Sequence, residues 1–335
     1  MTRPRAILAT VAGAVFAALL YLVIRHTRDL TDFEVYRTAG MRLLAGQPLY
    51  QPSDGHFVFK YLPTFAFALV PFAAVGAEAA KALWFALSFA WLSVFLAASV
   101  GALPDRRRES GALVMLTLLV TARVDVRELS LGQTNVLLGA MLVASFVAAL
   151  RRARCTAGAL VGAATFVKPY AIVLVPWLAA AVGPTALVAC AGAMVIGLAL
   201  PIVVYGWTGN VALLVDWFRT VTETTAPNLL LPENISFLSA WAKWIGAGAA
   251  ATMMAVVSTI AVLALAGVVL SRRRTVRSPN YLEFALLLLI IPLLSPQGWD
   301  YMLLLGTPAV ICLIDRWRDL GRAWQAAVVA AFVPV

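Results

Sequence analysis

The chain has 335 residues, of which 62% are hydrophobic and only 13% are charged, and its mean hydropathy is +0.89. This composition lies outside the range of soluble globular proteins and indicates an integral membrane protein. The net charge of +10 comes mainly from arginines in short connections, which is typical of topology signals and excludes a continuous basic face for nucleic acid. With two histidines and three widely spaced cysteines, we expect no metal site, disulfide framework or cofactor.

The first apolar run covers about residues 6–24 and has arginines on both sides. It is not followed by a small-residue cleavage site, so we predict a retained signal anchor and not a cleaved signal peptide. The polar segment after it, residues 25–77, is then the first outer loop.

Two apolar runs, about 61–75 and 78–103, follow within or just after this loop. Only the second is long enough to span, because about 15 helical residues rise roughly 22 Å against a hydrocarbon core of about 30 Å. We therefore predict that residues 61–75 form a re-entrant or interfacial helix on the outer face.

With that assignment the later runs alternate across the membrane, and the arginine-rich connections all lie on the cytoplasmic side. The predicted helices lie near residues 110–122, 133–150, 155–167, 170–183, 185–206, 244–270, 280–294 and 300–314, with a last run from about 323. Residues 207–243 form a second large outer loop. No repeat or linker divides the chain. We expect one all-α transmembrane domain over residues 1–335, a polytopic bundle of about 10–11 helices.

This topology predicts that many polar side chains lie on the outer face. They are Asp29, Asp32, Glu34, Lys60, Arg123, Asp125, Arg127, Glu128, Gln133, Asn135, Lys168, Asn228, Asn234, Asp300 and Tyr301. Because nucleotide sugars do not reach that face, a group transfer there needs a donor that crosses the membrane, such as a lipid-linked phosphate. Abundant alanine and arginine with little lysine suggest a GC-rich bacterium. We expect its cytoplasmic membrane, with the site facing the periplasm or exterior.

Asp32 is the first candidate for chemistry. Thr31 and Glu34 have the spacing of a helix capping box, which leaves Asp32 without a structural role. Residues 32–44 are amphipathic, as in an interfacial helix. A partly desolvated carboxylate at the lipid–water boundary suits a general base that takes a proton from an acceptor hydroxyl. Structural and catalytic roles both remain open at this point.

Lys168 interrupts two apolar helices near membrane depth, where an unpaired ammonium is costly and usually marks function. It is a candidate partner for the leaving phosphate, and snorkelling to the interface is the alternative. The aromatic segment 57–63 is either part of a sugar-binding cleft or an interfacial aromatic belt.

Two further polar interruptions lie at residues 123–135 and 294–301. In the first, Gln133 and Asn135 are predicted in the opening turn of a helix, whose free amides can bind an anion. Ordinary helix capping is the alternative interpretation. The second combines turn residues with a carboxylate and two aromatic side chains.

The order of these motifs resembles a known family. The motifs are Asp32-Phe33-Glu34-Val35-Tyr36, Gly46-Gln47-Pro48-Leu49-Tyr50, Tyr61-Leu62-Pro63, Gly132-Gln133-Thr134-Asn135, Lys168-Pro169 and Ser295-Pro296-Gln297-Gly298-Trp299-Asp300-Tyr301. Over about residues 32–301 the chain resembles GT-C superfamily membrane glycosyltransferases, specifically the bacterial polyprenol-phosphate-mannose-dependent alpha-1,2-mannosyltransferases. The resemblance implies metal-independent, inverting transfer of a sugar, mannose in that family. The implied partners are a polyprenyl-phosphate donor, a glycan or glycolipid acceptor, and the bilayer.

The resemblance also implies residue roles. Asp32 would be the base, and Lys168 with Arg123 and Arg127 would hold the donor phosphate. The candidate substrate-binding residues are Glu34, Tyr36, Lys60, Tyr61, Gln133, Asn135, Asn234, Trp299, Asp300 and Tyr301. Two departures concern specificity: Tyr301-Met302 stands where the family tends to have two histidines, and Tyr61-Leu62-Pro63 replaces Tyr-Pro-Pro.

Two non-enzymatic alternatives remain. A polyprenyl-phosphate or lipid transporter would line a path through the helices with charges, often in repeated halves, whereas these charges cluster on one face. A relative that binds polyprenyl phosphate without turnover would hold Asp32 far from Lys168 and Gln133, or pair it with Arg37.

Overall fold

The computed structural model describes residues 13, 16, 18, 20–25 and 29–332. Most of the predicted signal anchor lies outside these residues. Within them the chain forms an all-α polytopic bundle, which confirms the fold class predicted from composition.

The longer helices follow one another with short connections. They are α1 (Thr31–Leu44), α2 (Phe65–Ala73), α3 (Ala77–Ala102), α4 (Ser110–Leu131), α5 (Asn135–Leu150), α6 (Arg154–Val167), α7 (Pro184–Ala199), α8 (Ile202–Asn228), α9 (Phe237–Ile245), α10 (Ala249–Ser271), α11 (Pro279–Leu294), α12 (Thr307–Asp315) and α13 (Arg322–Phe332). Short or irregular helical segments occupy Pro52–Phe57, Pro169–Val182, Arg273–Thr275, Asp300–Gly306 and Trp317–Asp319.

Two helices, α3 and α10, are each long and apolar enough to cross a bilayer. Two bent pairs also qualify when each is taken as one span: α4 with α5, bent by 115°, and α7 with α8, bent by 90°. Helices α6 and α11 and the segment Pro169–Val182 are apolar but shorter. The bundle therefore has several candidate spans, and the number that cross the membrane stays a prediction.

The start of α1 differs from the predicted capping box. The residue before the helix is Leu30, which has a left-handed backbone, and no side chain caps the helix. Glu34 instead forms an ion pair with Lys81 of α3, with 3.0 Å between Oε1 and Nζ. The pattern was misleading because a buried lysine on another helix competes for the Glu34 carboxylate.

Helix α4 continues well beyond its predicted end near residue 122. Its last turns carry charged residues, yet Asp125 and Glu128 are buried because both have partners inside the protein. The Thr121 hydroxyl donates a hydrogen bond to Asp125 Oδ2 at 2.5 Å. Polar residues in this stretch therefore belong to the end of a helix and not to a loop.

Gly132 ends α4 and makes the sharp bend into α5. Its φ is +71°, a conformation that favours glycine. A Cβ on Gly132 would lie 3.0 Å from Phe33 Cβ and 3.2 Å from Leu30 Cβ, so the bend packs directly on the start of α1. The Trp84 indole donates a hydrogen bond to the Gly132 carbonyl at 2.8 Å. This packing brings the residues after the bend next to Asp32.

Residues 207–243, expected as an outer loop, are largely helical. Helix α8 runs to Asn228 with a break at Gly206, where φ is +69°. The Trp217 indole of α8 donates a hydrogen bond to the Lys60 carbonyl at 3.1 Å, and the Tyr205 hydroxyl donates to the Gln47 carbonyl at 2.9 Å. These bonds fix α8 against the segment that leads into α2.

Candidate active site

A cavity of about 360 Å³ lies where α1, residues 56–61, the Gly132 bend, the α6 end and residues 297–301 meet. It is lined by many of the residues predicted from sequence, namely Asp32, Tyr36, Lys60, Tyr61, Arg127, Gln133, Lys168, Trp299 and Tyr301. Motifs that are far apart along the chain therefore meet at one site.

Asp32 is held by Gln133, and it makes no ion pair with any residue that the structure describes. Gln133 Nε2 donates a hydrogen bond to Asp32 Oδ2 at 2.5 Å. Burial raises the pKa of Asp32 above its ordinary value, and the Gln133 hydrogen bond and the positive charge of Lys168 partly oppose this. The carboxylate is therefore more basic than an exposed aspartate, as a general base requires.

The orientation of Gln133 follows from two tyrosines. The Tyr36 hydroxyl donates to Gln133 Oε1 at 3.2 Å, which turns Nε2 towards Asp32. The Tyr36 and Tyr61 hydroxyls are 2.7 Å apart, and the Tyr61 hydroxyl is 3.2 Å from Thr134 Oγ1. Burial raises the pKa of both tyrosines, so both remain neutral hydroxyl groups.

Lys168 follows the last residue of α6 and is buried, with Nζ 5.9 Å from the Tyr61 ring centroid. Burial lowers its pKa, and the negative charges of Glu128 and Asp32 oppose that shift. Lys168 lines the cavity and is within electrostatic reach of the Glu128 and Asp32 carboxylates, which favours a role in the site over snorkelling.

The free backbone amides in the first turn of α5 are bound by the carboxylate of Glu128, which belongs to α4. Its Oε1 accepts hydrogen bonds from the backbone N–H groups of Asn135 at 2.5 Å and Val136 at 3.1 Å. Its Oε2 accepts one from Asn135 Nδ2 at 2.7 Å. Capping by an internal carboxylate, and not an external anion, therefore satisfies these amides. Asn135 is buried and does not line the cavity.

Of the two arginines expected at the donor phosphate, Arg127 reaches the cavity and Arg123 does not. Arg127 Nη1 lies 2.7 Å from Asp300 Oδ2, and its guanidinium carbon lies 5.7 Å from the Tyr301 ring centroid. Arg123 lies one helical turn earlier on α4 with an exposed side chain. Residues four apart lie on the same face of a helix, so Arg123 differs from Arg127 by a displacement of about 6 Å along the axis of α4, away from the cavity.

The remaining predicted residues lie around the cavity without lining it. Glu34 pairs with Lys81, and Asp300 pairs with Arg127. Asn234 is buried, and its Nδ2 donates to the Pro296 carbonyl at 3.0 Å, which fixes the segment that carries Trp299. None of these side chains lines the active-site cavity, so their predicted roles in substrate binding stay predictions.

Four polar residues that were not predicted from the sequence also line the cavity: Thr31, His56, Tyr170 and Gln297. Gln297 belongs to the polar interruption at residues 294–301, and Tyr170 directly follows the Lys168-Pro169 motif, so the signal for both was the neighbouring motif. His56 belongs to residues 25–77, the segment predicted to be the first outer loop, and the sequence offers no reason beyond metal binding to select it.

Comparison with known proteins gives one family match. The family model described as glycosyltransferase family 87 matches residues 59–296, which is well over half of the chain. No curated protein and no solved structure matches the sequence. The matched range contains Tyr61, Gln133 and Lys168 of the cavity, whereas Asp32 lies before it. The chain therefore belongs to glycosyltransferase family 87, a GT-C type family of membrane glycosyltransferases that includes mannosyltransferases.

Proposed function

We propose that this glycosyltransferase moves a hexose, with mannose as the first candidate, from a polyprenyl-phosphate donor to a hydroxyl of a glycan or glycolipid. The transfer inverts the anomeric carbon and takes place on the outer face of a bacterial cytoplasmic membrane. The observation that carries the proposal is the position of Asp32, held by Gln133, in the same cavity as Lys168.

In the proposed reaction, Asp32 takes the proton of the acceptor hydroxyl while that oxygen attacks the anomeric carbon of the donor sugar. The bond between this carbon and the phosphate oxygen breaks, and its electron pair leaves with polyprenyl phosphate. Lys168 and Arg127 offset the negative charge on the phosphate. The products are the new glycoside, polyprenyl phosphate and a protonated Asp32.

An apolar cavity beside the site supports a lipid-linked donor. Its volume is about 700 Å³, and it lies between the segment Pro169–Val182, α10 and α11. It shares Pro169 and Tyr170 with the active-site cavity. A donor with its phosphate at Lys168 would therefore have its prenyl chain next to apolar side chains such as Leu263 and Ile291.

The distances around Asp32 count against an inactive binding relative. Asp32 makes its hydrogen bond to Gln133 and lies within electrostatic reach of Lys168. Arg37, the expected partner in an inactive relative, donates instead to the Val75 carbonyl at 3.2 Å.

Sugar transfer by the purified protein in lipid tests the proposal, with a panel of polyprenyl-phosphate hexoses as donors. We expect transfer by the wild type and a loss of about 100-fold or more in Asp32→Asn. Asp29→Asn is the matched control, because Asp29 pairs with Lys81 and does not line the active-site cavity. Full transfer by a folded Asp32→Asn protein contradicts the proposal, and donor binding without turnover by the wild type indicates a carrier or inactive relative.

A further inference from the structure

A third cavity, of about 530 Å³, lies between the first outer segment and α8. It shares His56, Val58 and Lys60 with the active-site cavity, so these residues form a common wall. A second connection runs through Gln297, which lines the active site and donates a hydrogen bond to Thr224 Oγ1 in the third cavity at 3.2 Å. A molecule in the third cavity would therefore lie next to the reaction centre.

One face of α8 supplies most of the polar groups in this cavity. Asp216, Thr220 and Glu223 are spaced at four and three residues, which places them on one side of a helix. The exposed apolar residues Val215 and Phe218 lie on other sides of α8. This polar face is not needed for packing, because α8 is anchored through Trp217 and Tyr205.

The charged groups on this face are unpaired within the described residues. Arg219 and Glu223 are one turn apart, a spacing that favours ion pairs, yet neither residue nor Asp216 makes an ion pair or side-chain hydrogen bond. The two carboxylates accept hydrogen bonds, Arg219 donates them, and Thr220 does both. The cavity therefore offers both kinds of partner to a ligand.

The charges that line the third cavity indicate which class of ligand it can bind. Two carboxylates, Asp216 and Glu223, face two cations, Arg219 and Lys60. A polyanion such as a nucleotide prefers an excess of cations, and an apolar chain prefers no charges. Neutral molecules with many hydroxyl groups, which donate and accept at each position, match this set of partners.

We propose that the third cavity binds the saccharide portion of the acceptor and presents one of its hydroxyl groups to Asp32 across the shared wall. The inference rests on the proposed function, because it assigns a place to the acceptor of that reaction. Free glycans and glycolipid headgroups share this chemistry, and α8 would contact only their sugar rings.

Saccharide binding to the full-length Asp32→Asn protein in lipid nanodiscs tests the inference without requiring turnover. The probes are mannotriose, maltotriose and octyl α-mannoside, measured by titration calorimetry. Thr220→Trp fills the cavity, and Glu223→Ala removes an acceptor from an exposed position without adding bulk. We expect each change to raise the Kd by about tenfold or more, which corresponds to roughly 1.4 kcal/mol. Binding of the trioses identifies a free glycan, and binding of octyl α-mannoside alone identifies a glycolipid.

Thr222→Trp is the matched control, because Thr222 does not line the third cavity and, among the described residues, its hydroxyl donates only to the Phe218 carbonyl. An unchanged Kd in both cavity variants overturns the inference, as does failure of the parent protein to bind any probe. If Thr220→Trp does not fold, Glu223→Ala alone decides. The two proposals can fail separately. If the wild type transfers no sugar but the cavity variants lose saccharide binding, the saccharide site is supported and the proposed function is refuted.

Discussion

The Asp32 carboxylate and the Lys168 ammonium respond to burial in opposite directions. Burial raises the pKa of Asp32 and lowers the pKa of Lys168. A base must be deprotonated and a phosphate-binding cation must be protonated, so the working pH range is bounded by both groups. We therefore predict a bell-shaped dependence of kcat/KM on pH, with Asp32 on the acid limb and Lys168 on the alkaline limb.

Substituting Lys168 or Lys60 by arginine tests which residue determines the alkaline limb of the pH profile. Lys168→Arg should move it to higher pH, because a guanidinium stays charged throughout this range. Lys60→Arg is the control: burial also lowers the pKa of Lys60, but Lys60 lies on the wall towards the third cavity. A limb that moves with Lys60→Arg, or a profile that is flat from about pH 4 to pH 10, contradicts the assignment.

The raised pKa of Asp32 also predicts an effect on stability. The folded state binds the Asp32 proton more tightly than the unfolded state does. The carboxylate therefore destabilises the fold increasingly as pH rises from the unfolded pKa through the folded pKa, and the full cost is present above it. Asp32→Asn should raise the melting temperature at neutral pH while it abolishes transfer, as scanned by thermal unfolding in lipid.

Asp29→Asn provides the comparison for this measurement. It removes the ion pair with the buried Lys81 amine, whose Nζ lies 2.8 Å from Asp29 Oδ2, so its melting temperature should fall. A melting temperature of Asp32→Asn that falls as far as that of Asp29→Asn would show that Asp32 has a structural role.

At the scale of elements, the bend between α4 and α5 connects the fold to the chemistry. Gly132 allows the turn, Glu128 caps the new helix, and Gln133 then reaches Asp32. Gly132→Ala places a Cβ 3.0 Å from that of Phe33 in a backbone that disfavours alanine. We predict a stability loss of about 1–2 kcal/mol and a lower kcat, because displacement of the bend moves Gln133 away from Asp32, the proposed base.

Gly111→Ala is the matched substitution on the same helix. No atom lies within 4 Å of the position that a Cβ would take on Gly111, and its φ is not positive, so alanine should leave transfer unchanged and stabilise α4 slightly. Thermal unfolding and transfer rates of the two variants make the comparison. Equal behaviour of the two variants would rule out a special role for the bend.

The elements also show what the sequence could predict. Apolar runs located most helices, since burial and bilayer length both act on local composition. The end of α4 could not be predicted because Asp125 and Glu128 accept hydrogen bonds from Thr121 and Asn135, partners that a local polarity count does not identify. The contact between Gln133 and Asp32 joins positions about a hundred residues apart, so motif order suggested it but only the fold supplied the distance. Arg123 and Arg127 look equivalent in sequence and share one face of α4, but Arg123 lies one turn farther along the helix and does not line the cavity.

At the scale of the whole molecule, the active-site cavity adjoins two other cavities, one lined by apolar side chains and one lined by polar side chains. The apolar cavity meets it at Pro169 and Tyr170, and the polar cavity meets it at His56, Val58 and Lys60. The proposed donor lipid and acceptor sugar would approach from different sides, so neither needs to leave before the other binds. Substitutions in the apolar cavity should therefore affect the donor, and substitutions in the polar cavity should affect the acceptor.

Gly267 allows a test of the donor side. It lines the apolar cavity from α10, and no atom lies within 4 Å of the position that a Cβ would take. A phenylalanine there should enter the cavity without disturbing helix packing. We predict that Gly267→Phe raises the KM for a donor with about fifty prenyl carbons by roughly tenfold, because a few methylene contacts account for that much free energy.

The Gly267→Phe variant should keep the wild-type KM for a donor with about ten prenyl carbons. Such a short chain would contact the cavity only near Pro169 and would not reach position 267 on α10. Gly192→Phe on α7 is the control, since Gly192 is equally open but lines none of these cavities. The same rise for both donor lengths would mean that the substitution disturbs the phosphate site. No rise for either donor would place the prenyl chain elsewhere, because a chain that avoids this cavity cannot be affected by filling it.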